Sequence, residues 1–193
     1  MKPVNVLISS AGRRVALLRI FRQTLDAMGL AGRVYAADMA RLSSAFHEAH
    51  EGFVVPHCTT DEFVPVMLEL CRERQISLIV PTIDTELPVY AAYREEFERV
   101  GCRVAISSSE VIGIGGDKQR THTWLVEKGF PTVRQASVDE VEAERERWAF
   151  PLIVKPKTGS ASIGVAIVRD VEELRGATRR GEFVVQSLAK GAE

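Results

Sequence analysis

The stretch PLIVKPKTGSASIGVAIV, residues 151–168, predicts a β-hairpin with a glycine-bearing tip. Its two ends, Leu152–Val154 and Val165–Val168, are short apolar runs with β-branched residues, which are typical of strands. The residues between them, Thr158–Ser162, are small and polar, and they include a glycine that lets backbone approach a ligand closely. The whole stretch therefore predicts two strands joined by a flexible loop.

Two lysines precede the tip of this hairpin. Strand side chains alternate between faces, so Lys155 and Lys157 are predicted to share one face. Two ammonium groups beside a loop of backbone N–H and hydroxyl donors favour a polyphosphate as ligand. Gly159 and Gly164 have the spacing of the Walker P-loop glycines, but Val165 stands where that motif requires lysine. An ordinary hairpin with solvated lysines explains the same residues, so this stretch alone leaves both interpretations open.

The composition narrows the class of protein. A length of 193 residues allows one large domain or two small ones, and a hydrophobic content of 46% is enough to build a core. The net charge of -1 argues against a nucleic-acid partner, and no apolar run approaches the ~18 residues that a membrane span needs. Three scattered cysteines, Cys58, Cys71 and Cys102, have no metal-ligand or redox spacing, so they predict free thiols and a cytoplasmic location.

The first half alternates short apolar strands with amphipathic helices. This alternation predicts a parallel sheet with crossover helices, a Rossmann-like unit that extends to about residue 106. The predicted strands are Val4–Ile8, Val34–Ala37, Phe53–Val55, Leu78–Val80 and Cys102–Ile106. The predicted helices are residues 14–28, a helix that opens at Thr60 and Asp61, and residues 85–100.

Polar residues follow several of these strands. Ligands of open α/β sheets bind at the carboxyl ends of the strands, so these residues are expected to line a crevice. An acidic residue after the second strand, here Asp38, is what a nicotinamide-nucleotide fold uses to hold a ribose, but SSAGRR is not GxGxxG. The alternative is that Asp38 and Asp84 cap nearby backbone. The residues placed in the crevice are Ser9, Ser10, Gly12, Arg13, Asp38, Asp84 and Glu86.

Serine-rich and glycine-rich segments between residues 107 and 116 mark the boundary between two units. Beyond it, Asp117 is predicted to cap a helix whose first turn contains Lys118. The helix dipole opposes a cation there, so Lys118 is expected to face an anion, with a solvated lysine as the alternative. The predicted elements are helices Lys118–Lys128, Asp139–Trp148 and Asp170–Arg179, strands Thr132–Gln135 and Phe183–Gln186, and the hairpin.

Three motifs of the second half, taken in order, resemble the ATP-grasp superfamily. They are the Asp117–Lys118 pair followed by a helix and GFPTV, the segment PLIVKPKTGSASIGV, and FVVQSLAKGAE. The residues before them, including VPTIDTELPVYA, resemble the domain that precedes the ATP-grasp fold in relatives of the carbamoyl-phosphate synthase large subunit. The resemblance covers essentially the whole chain. It implies an α/β fold, with a Rossmann-like pre-ATP-grasp domain in residues 1–112 and an incomplete ATP-grasp domain, first lobe only, in residues 113–193.

The resemblance also implies a role for individual residues. Lys118 and Lys155 would contact the nucleotide phosphates, and the loop after Lys157 would fold over them as a lid. Lys157 is not a fixed position of the family. Gln186 would face the adenine amino group, the backbone of Ser187 and Ala189 would contact the adenine edge, and Glu193 would hold the ribose. The loop residues are Thr158, Gly159, Ser160, Ala161, Ser162 and Gly164.

The function implied by the resemblance is that of an ATP-dependent ligase. Such an enzyme phosphorylates a carboxylate with ATP and Mg²⁺, and an amine or ammonia then displaces phosphate from the acyl phosphate. The catalytic residues and the metal ligands are expected in the second lobe, so a C-terminal ATP-grasp half or a second copy of the chain is the expected partner. The chain by itself is expected to be inactive. A Rossmann-type dinucleotide-binding module without ligase activity is the alternative.

Overall fold

A computed structural model describes residues 3–179 and 182–189 of the chain. The chain divides into two compact units, Met1–Ser109 and Glu110–Glu193. The predicted Glu193 contact lies outside the described residues.

The first unit alternates strands with helices around one parallel sheet. The strand order is β3-β2-β1-β4-β5, and every neighbouring pair is parallel. All five residues of the central strand are buried, because helices cover both faces of a parallel sheet. This architecture confirms the predicted Rossmann-like fold. The elements are β1 (Asn5–Ser9), α1 (Val15–Ala27), β2 (Val34–Asp38), α2 (Ser44–Glu48), β3 (Gly52–Val54), α3 (Phe63–Glu73), β4 (Ile76–Pro81), α4 (Glu86–Ala92), α5 (Arg94–Arg99) and β5 (Arg103–Val104).

The strand order creates a topological switch point between β1 and β4. From β1 the chain moves outward to β2 and β3, and it then crosses to the opposite side of β1 to form β4 and β5. The carboxyl ends of β1 and β4 lie side by side, with Ser9 in register with Pro81. A crevice of this kind is where open α/β sheets bind their ligands.

Two helical segments of this unit differ from the prediction. The helix predicted for residues 85–100 is two helices, α4 and α5, which meet at Tyr93 with φ -109° and ψ 19°. The rings of Tyr90 and Phe97 lie 5.3 Å apart in the core, whereas seven residues of continuous helix rise about 10.5 Å. The break therefore allows both rings to pack together. The short helix α2, which begins after its N-cap Ser43, was not predicted.

The second unit is built on an antiparallel sheet with the strand order β6-β9-β7-β8. The predicted hairpin is confirmed, with Leu152 opposite Val168 and Val154 opposite Ala166. The helix predicted for residues 139–148 ends at Ala143 and continues as a 3-10 turn, Arg145–Arg147. The elements are α6 (Ser109–Gly115), α7 (Lys118–Glu127), β6 (Gln135–Ala136), α8 (Val138–Ala143), β7 (Leu152–Pro156), β8 (Ala166–Val168), α9 (Val171–Ala177) and β9 (Phe183–Ser187).

The two faces of this second sheet differ in character. One face is buried against α8, α9 and the Trp148 ring, and its strand residues are Leu152, Val154, Val168 and Val185. The alternating residues lie on the opposite face, where Ile167 is 53% exposed. We call this second surface the open face of the sheet. Among the predicted functional residues of the hairpin, Lys155 belongs to it.

Candidate functional site

The open face of the second sheet brings together residues from three strands. Ile153 lies opposite Gln186 in β9, and Gln186 lies opposite Gln135 in β6. Directly opposed residues of an antiparallel sheet share one face, so Gln135 and Gln186 lie on the same face as Lys155. Lys155 is half-buried, and its ammonium group has no hydrogen bond or ion pair with any residue that the structure describes. Its ammonium group is therefore available to an anion.

Lys118 lies at the start of α7, as predicted. Asp117 caps this helix, since its Oδ1 accepts hydrogen bonds from the backbone N–H groups of Gln119 at 2.8 Å and Arg120 at 3.0 Å. The Nζ of Lys118 donates to the carbonyl oxygen of Gly159 at 2.9 Å, so this lysine contacts the hairpin loop. A neutral carbonyl is a weak partner for an ammonium group, and a phosphate oxygen would be a stronger one.

Lys157 has different surroundings. Its Nζ lies 3.6 Å from Asp117 Oδ2 and 3.5 Å from Glu182 Oε2. Its backbone N–H donates to the Glu182 carbonyl at 2.8 Å, and its own carbonyl accepts from the Lys118 N–H at 2.9 Å. Lys157 therefore ties the end of β7 to the cap of α7. Its ammonium group contacts two carboxylates in this structure.

The loop between β7 and β8 is exposed throughout, from Thr158 to Val165. Gly159 and Gly164 have φ angles of +94° and +74°, and Ala161 and Ser162 adopt left-handed conformations at +56° and +58°. A Cβ at Gly164 would lie 2.7 Å from Cγ of Pro156, so close approach as well as backbone conformation requires glycine there.

A chain of two side-chain amides crosses the open face. Gln186 Nε2 donates to Gln135 Oε1 at 2.7 Å, and Gln135 Nε2 donates to the backbone carbonyl of Lys118 at 3.2 Å. Next to it, the N–H of Ser187 donates to the Arg134 carbonyl at 3.0 Å. That N–H is therefore engaged by the residue that precedes β6. Ala189 is exposed beyond the end of β9.

The sequence analysis assigned no functional role to Gln135. It is the last residue of the predicted strand Thr132–Gln135, whereas β6 spans Gln135–Ala136. Its partner Gln186 comes 51 residues later. Only the pairing of β6 with β9 brings the two amides together.

The crevice of the first unit contains a buried hydroxyl–carboxyl cluster. Glu86 is fully buried, and its Oε1 accepts hydrogen bonds from the hydroxyls of Ser9 and of Ser10, the latter at 2.9 Å. The Tyr90 hydroxyl donates to Ser9 Oγ at 2.9 Å. The other carboxyl oxygen, Glu86 Oε2, is buried without a hydrogen-bond partner among the described residues. This cluster bridges β1 and α4 at the switch point.

Burial shifts the pKa values of two groups in this cluster. It raises the pKa of Glu86, because a carboxylate loses its hydration there, and the negative charge of Asp38 acts in the same direction. The hydrogen bonds from Ser9 and Ser10 oppose this shift. Burial also raises the pKa of Tyr90, and repulsion from Glu86 adds to the effect.

The remaining crevice residues are separate from this cluster. Both oxygens of Asp38 accept backbone N–H groups, from Gly12 at 2.6 Å and from Ala40 at 2.8 Å. Asp38 therefore caps backbone, which was the alternative interpretation of this residue. Arg13 and Asp84 are exposed.

A comparison with known protein families matches most of the first unit. Residues 6–105 match the family described as the PylC-like, N-terminal domain. The chain belongs to this PylC-like family. Its parallel sheet and the crevice between β1 and β4 lie within the matched residues.

Curated relatives of the PylC-like chain include a ligase and a carbamoyl phosphate synthase. The chain is 33% identical over 103 residues to the D-alanine--D-alanine ligase of Xylella fastidiosa, a match that covers 47% of this chain and 34% of the relative. It is 26% identical over 117 residues to the carbamoyl phosphate synthase large chain of Bifidobacterium animalis subsp. lactis, covering 57% of this chain and 10% of the relative. The chain thus spans about a third of the first relative's length.

A solved structure matches both units of the PylC-like chain. The biotin carboxylase domain dimer of the Hydrogenobacter thermophilus 2-oxoglutarate carboxylase, in complex with MgADP, ADP and bicarbonate, aligns with a TM-score of 0.70 at 18% identity. The alignment covers 97% of this chain and 45% of that one. The family match, the relatives and this fold together confirm membership of the ATP-grasp superfamily.

The described part of the chain has neither a membrane-spanning helix nor a cluster of metal-ligand side chains. No helix within residues 3–179 and 182–189 is long and apolar enough to cross a membrane. In the same ranges, no three His, Cys, Asp or Glu side chains are grouped so that they could hold a metal ion.

Proposed function

We propose that residues 113–193 form the first lobe of an ATP-grasp domain and bind ATP on the open face. The proposal is carried by one observation: Lys118, Lys155 and Gln186 surround a single sheet face beside the glycine-bearing loop. The residues before the lobe form the pre-ATP-grasp domain. The division of the chain after Ser109 lies three residues from this proposed boundary.

The phosphates would meet the two lysines and the loop. Lys118 leaves its contact with the Gly159 carbonyl for a phosphate oxygen, and Lys155 supplies a second charge from β7. Lys157 holds the start of α7 and the end of β7 together through Asp117 and Glu182. The exposed loop from Thr158 to Gly164 closes over the phosphates and supplies backbone N–H donors.

The base and ribose would lie toward the end of β9. Gln186 faces the adenine amino group, and the backbone near Ser187 and Ala189 contacts the edge of the ring. Glu193 is proposed to hold the ribose hydroxyls.

The intact protein is proposed to be a ligase that joins a carboxylate to an amine or to ammonia, as relatives of carbamoyl phosphate synthase do. A carboxylate oxygen attacks the γ-phosphorus of ATP, and ADP leaves. The amine nitrogen then attacks the acyl phosphate carbon, inorganic phosphate leaves, and the amine loses a proton. The crevice between β1 and β4, with the Glu86 cluster, is proposed to bind one of the two small-molecule substrates.

The described residues do not supply a complete site for Mg²⁺. A bound Mg²⁺ neutralises charge on the transferring phosphoryl group. The described residues offer no group of acidic side chains for it. The phosphates, water and residues of the second lobe would therefore hold the ion. The catalytic residues are proposed to lie in that lobe as well.

The first prediction tests this function in the full-length gene product. Purified enzyme is expected to release ADP only when a suitable carboxylate and an amine are both present, because the acyl phosphate is consumed by the amine. A coupled ADP assay across a panel of amino acids, hydroxy acids and bicarbonate measures this. Absence of ADP release across the panel would overturn the proposed ligase.

The alternative, a dinucleotide-binding module, is tested with the same preparation. A titration with NADH, followed by nicotinamide fluorescence, would show saturable binding without competition by ATP if that alternative held. The engagement of both Asp38 oxygens by backbone N–H groups argues against it.

The second prediction concerns self-association of the 193-residue chain. Exposed apolar residues on the hairpin, Ile163 at 79% and Ile167 at 53%, lie on or beside the edge strand β8. Exposed apolar surface and unpaired strand edges favour association. We expect a dimer or larger species in multi-angle light scattering at high concentration, and Ile167→Lys should shift it toward monomer.

Ile20→Lys is the matched control. Ile20 is 56% exposed on α1, so the same change adds a charge to an exposed position of the first unit. Clean monomeric behaviour of the unmodified chain, or equal effects of the two substitutions, would contradict the prediction.

A cytoplasmic location is also proposed, because the three described cysteines are buried and free.

A further inference from the structure

We propose that Gln135 is a specificity-determining residue that makes the site select a base with an amino group, such as adenine, over one with a carbonyl at the same position. The inference rests on the proposed nucleotide site. It concerns the direction in which the Gln186 amide points, and that direction follows from the hydrogen bonds of the open face.

The direction of the amide chain is determined at its inner end. The backbone carbonyl of Lys118 can only accept a hydrogen bond, so Gln135 must present its Nε2 to it. The other end of the Gln135 amide is then its Oε1, which can only accept. Gln186 lies 2.7 Å from that oxygen and must therefore donate with its own Nε2.

This arrangement determines where the amide oxygen of Gln186 lies. Its Oε1 has no hydrogen-bond partner among the residues that the structure describes. An amide normally presents either a donor or an acceptor, because the group can turn over. Here Gln135 removes that freedom, because it accepts one of the two Nε2 hydrogens and so holds the Gln186 oxygen in place as an acceptor for a ligand.

The base that fits an acceptor is one that donates. Adenine carries an amino group at its six position, whereas guanine and hypoxanthine carry a carbonyl oxygen there. If a carbonyl oxygen faced this acceptor, neither oxygen would have a hydrogen-bond donor. A site that recognises its ligand by hydrogen bonds strongly rejects a ligand that leaves its polar groups unpaired. By orienting the Gln186 amide, Gln135 makes residue 186 an acceptor at this point. A carboxylate at position 186 would be an acceptor in either orientation.

The arrangement also joins the two ends of the site. The Lys118 carbonyl that anchors Gln135 belongs to the residue whose Nζ contacts the hairpin loop. The base-reading amide is thereby held by the first turn of α7, the same turn that is proposed to meet the phosphates.

The test compares ATP with inosine triphosphate, which differs only in its base. Nuclear magnetic resonance titration of the ¹⁵N-labelled chain suits the weak affinities expected. The wild type should prefer ATP by about tenfold or more. Gln135→Met retains the shape of the side chain but releases the Gln186 amide to turn over, so the preference should fall by about five- to tenfold.

A second variant separates orientation from packing. In Gln135→Met combined with Gln186→Glu, residue 186 is acceptor-only whatever residue 135 is, so the preference for ATP should return. Gln135→Glu still accepts from Gln186 and should retain more of the preference than the methionine variant, which keeps the test available if Gln135→Met does not fold. Gln23→Met, at an exposed position of α1, is the matched control and should leave the ratio unchanged.

The outcomes distinguish the two proposals. If both triphosphates bind and Gln135→Met leaves their ratio unchanged, the role of Gln135 is wrong and the nucleotide site stands. If the double variant fails to restore the preference, Gln135 acts through packing and not through orientation, which also overturns the inference. If neither triphosphate binds the wild type, the proposed function fails and this inference with it.

Discussion

Replacing Lys155 by alanine is expected to weaken ATP binding by this chain about five- to tenfold, because it removes a charged hydrogen-bond donor from the phosphates. Lys155 is the suitable target since its ammonium group has no partner among the described residues and need not be released before it binds. Replacing Lys157, which pairs with Asp117 and Glu182, should instead lower the stability of the folded chain. Calorimetry on the purified variants measures the binding constants.

The affinity of the unmodified chain is expected to be weak. The lysines, the loop and Gln186 form one wall of a site, and a nucleotide on it would keep much of its surface in water. Exposed ion pairs contribute only ~0–1 kcal/mol each, so a Kd no tighter than roughly 0.1–1 mM is expected, with no catalysis. Micromolar binding, or ATP hydrolysis by the chain, would show that this description of the site is wrong.

Arg179→Ala is the control for Lys155→Ala. It also deletes one positive charge, but from an exposed position two residues past the end of α9. We expect it to leave ATP binding unchanged within error. Equal weakening by both substitutions would indicate a general charge effect and would remove the support for a specific contact at Lys155.

Glu86→Gln is expected to abolish part of the pH dependence of stability of the first unit. Burial raises the pKa of Glu86 in the folded state above its ordinary value of 4.5. As the pH rises from that value to the folded pKa, the folded protein binds more protons than the unfolded chain, so the free energy of unfolding falls. Above the folded pKa the loss is complete, and it persists at neutral pH.

The glutamine variant carries no proton to lose. Its free energy of unfolding should therefore stay flatter across this window, and its stability relative to the wild type should improve as the pH rises. The direction of this change follows from the raised pKa of Glu86 in the folded state. Urea unfolding of both proteins at a series of pH values from about 4 to about 8 measures it, because this range includes the ordinary glutamate pKa.

Glu98→Gln provides the comparison, since Glu98 is an exposed carboxyl on α5 in the same unit. It should follow the wild type at every pH. If Glu86→Gln also follows the wild type, the carboxyl is not held in the environment that the structure shows, and its place in the substrate crevice would lose its main support.

The first unit was predictable from local pattern to a large extent. Strands β1 and β2 are mostly apolar and buried along nearly their whole length, and helix α1 carries apolar residues at helical spacing. The residues that stabilise each of these elements therefore lie close together in the sequence. The motifs around Asp117, the hairpin and β9 predicted the superfamily, and the family match and the fold confirm it. The hairpin itself followed from two apolar runs and a glycine-bearing turn between them.

Other features were decided by contacts between distant segments. The break at Tyr93 depends on Tyr90 and Phe97 packing together in the core, and no local signal marks it. The burial of Glu86 depends on Ser9 and Ser10, which lie 77 and 76 residues earlier in the chain.

The open face shows the same division between sequence and tertiary structure. Alternation along β7 already predicts which face Lys155 occupies, because side-chain direction has a period of two within a single strand. Which amide lies beside Gln186, and which way that amide points, depends instead on the register of β9 with β6 and on the Lys118 carbonyl at the start of α7. Hydrogen-bond direction depends on the complete set of donors and acceptors around a group. That set exists only after the chain has folded.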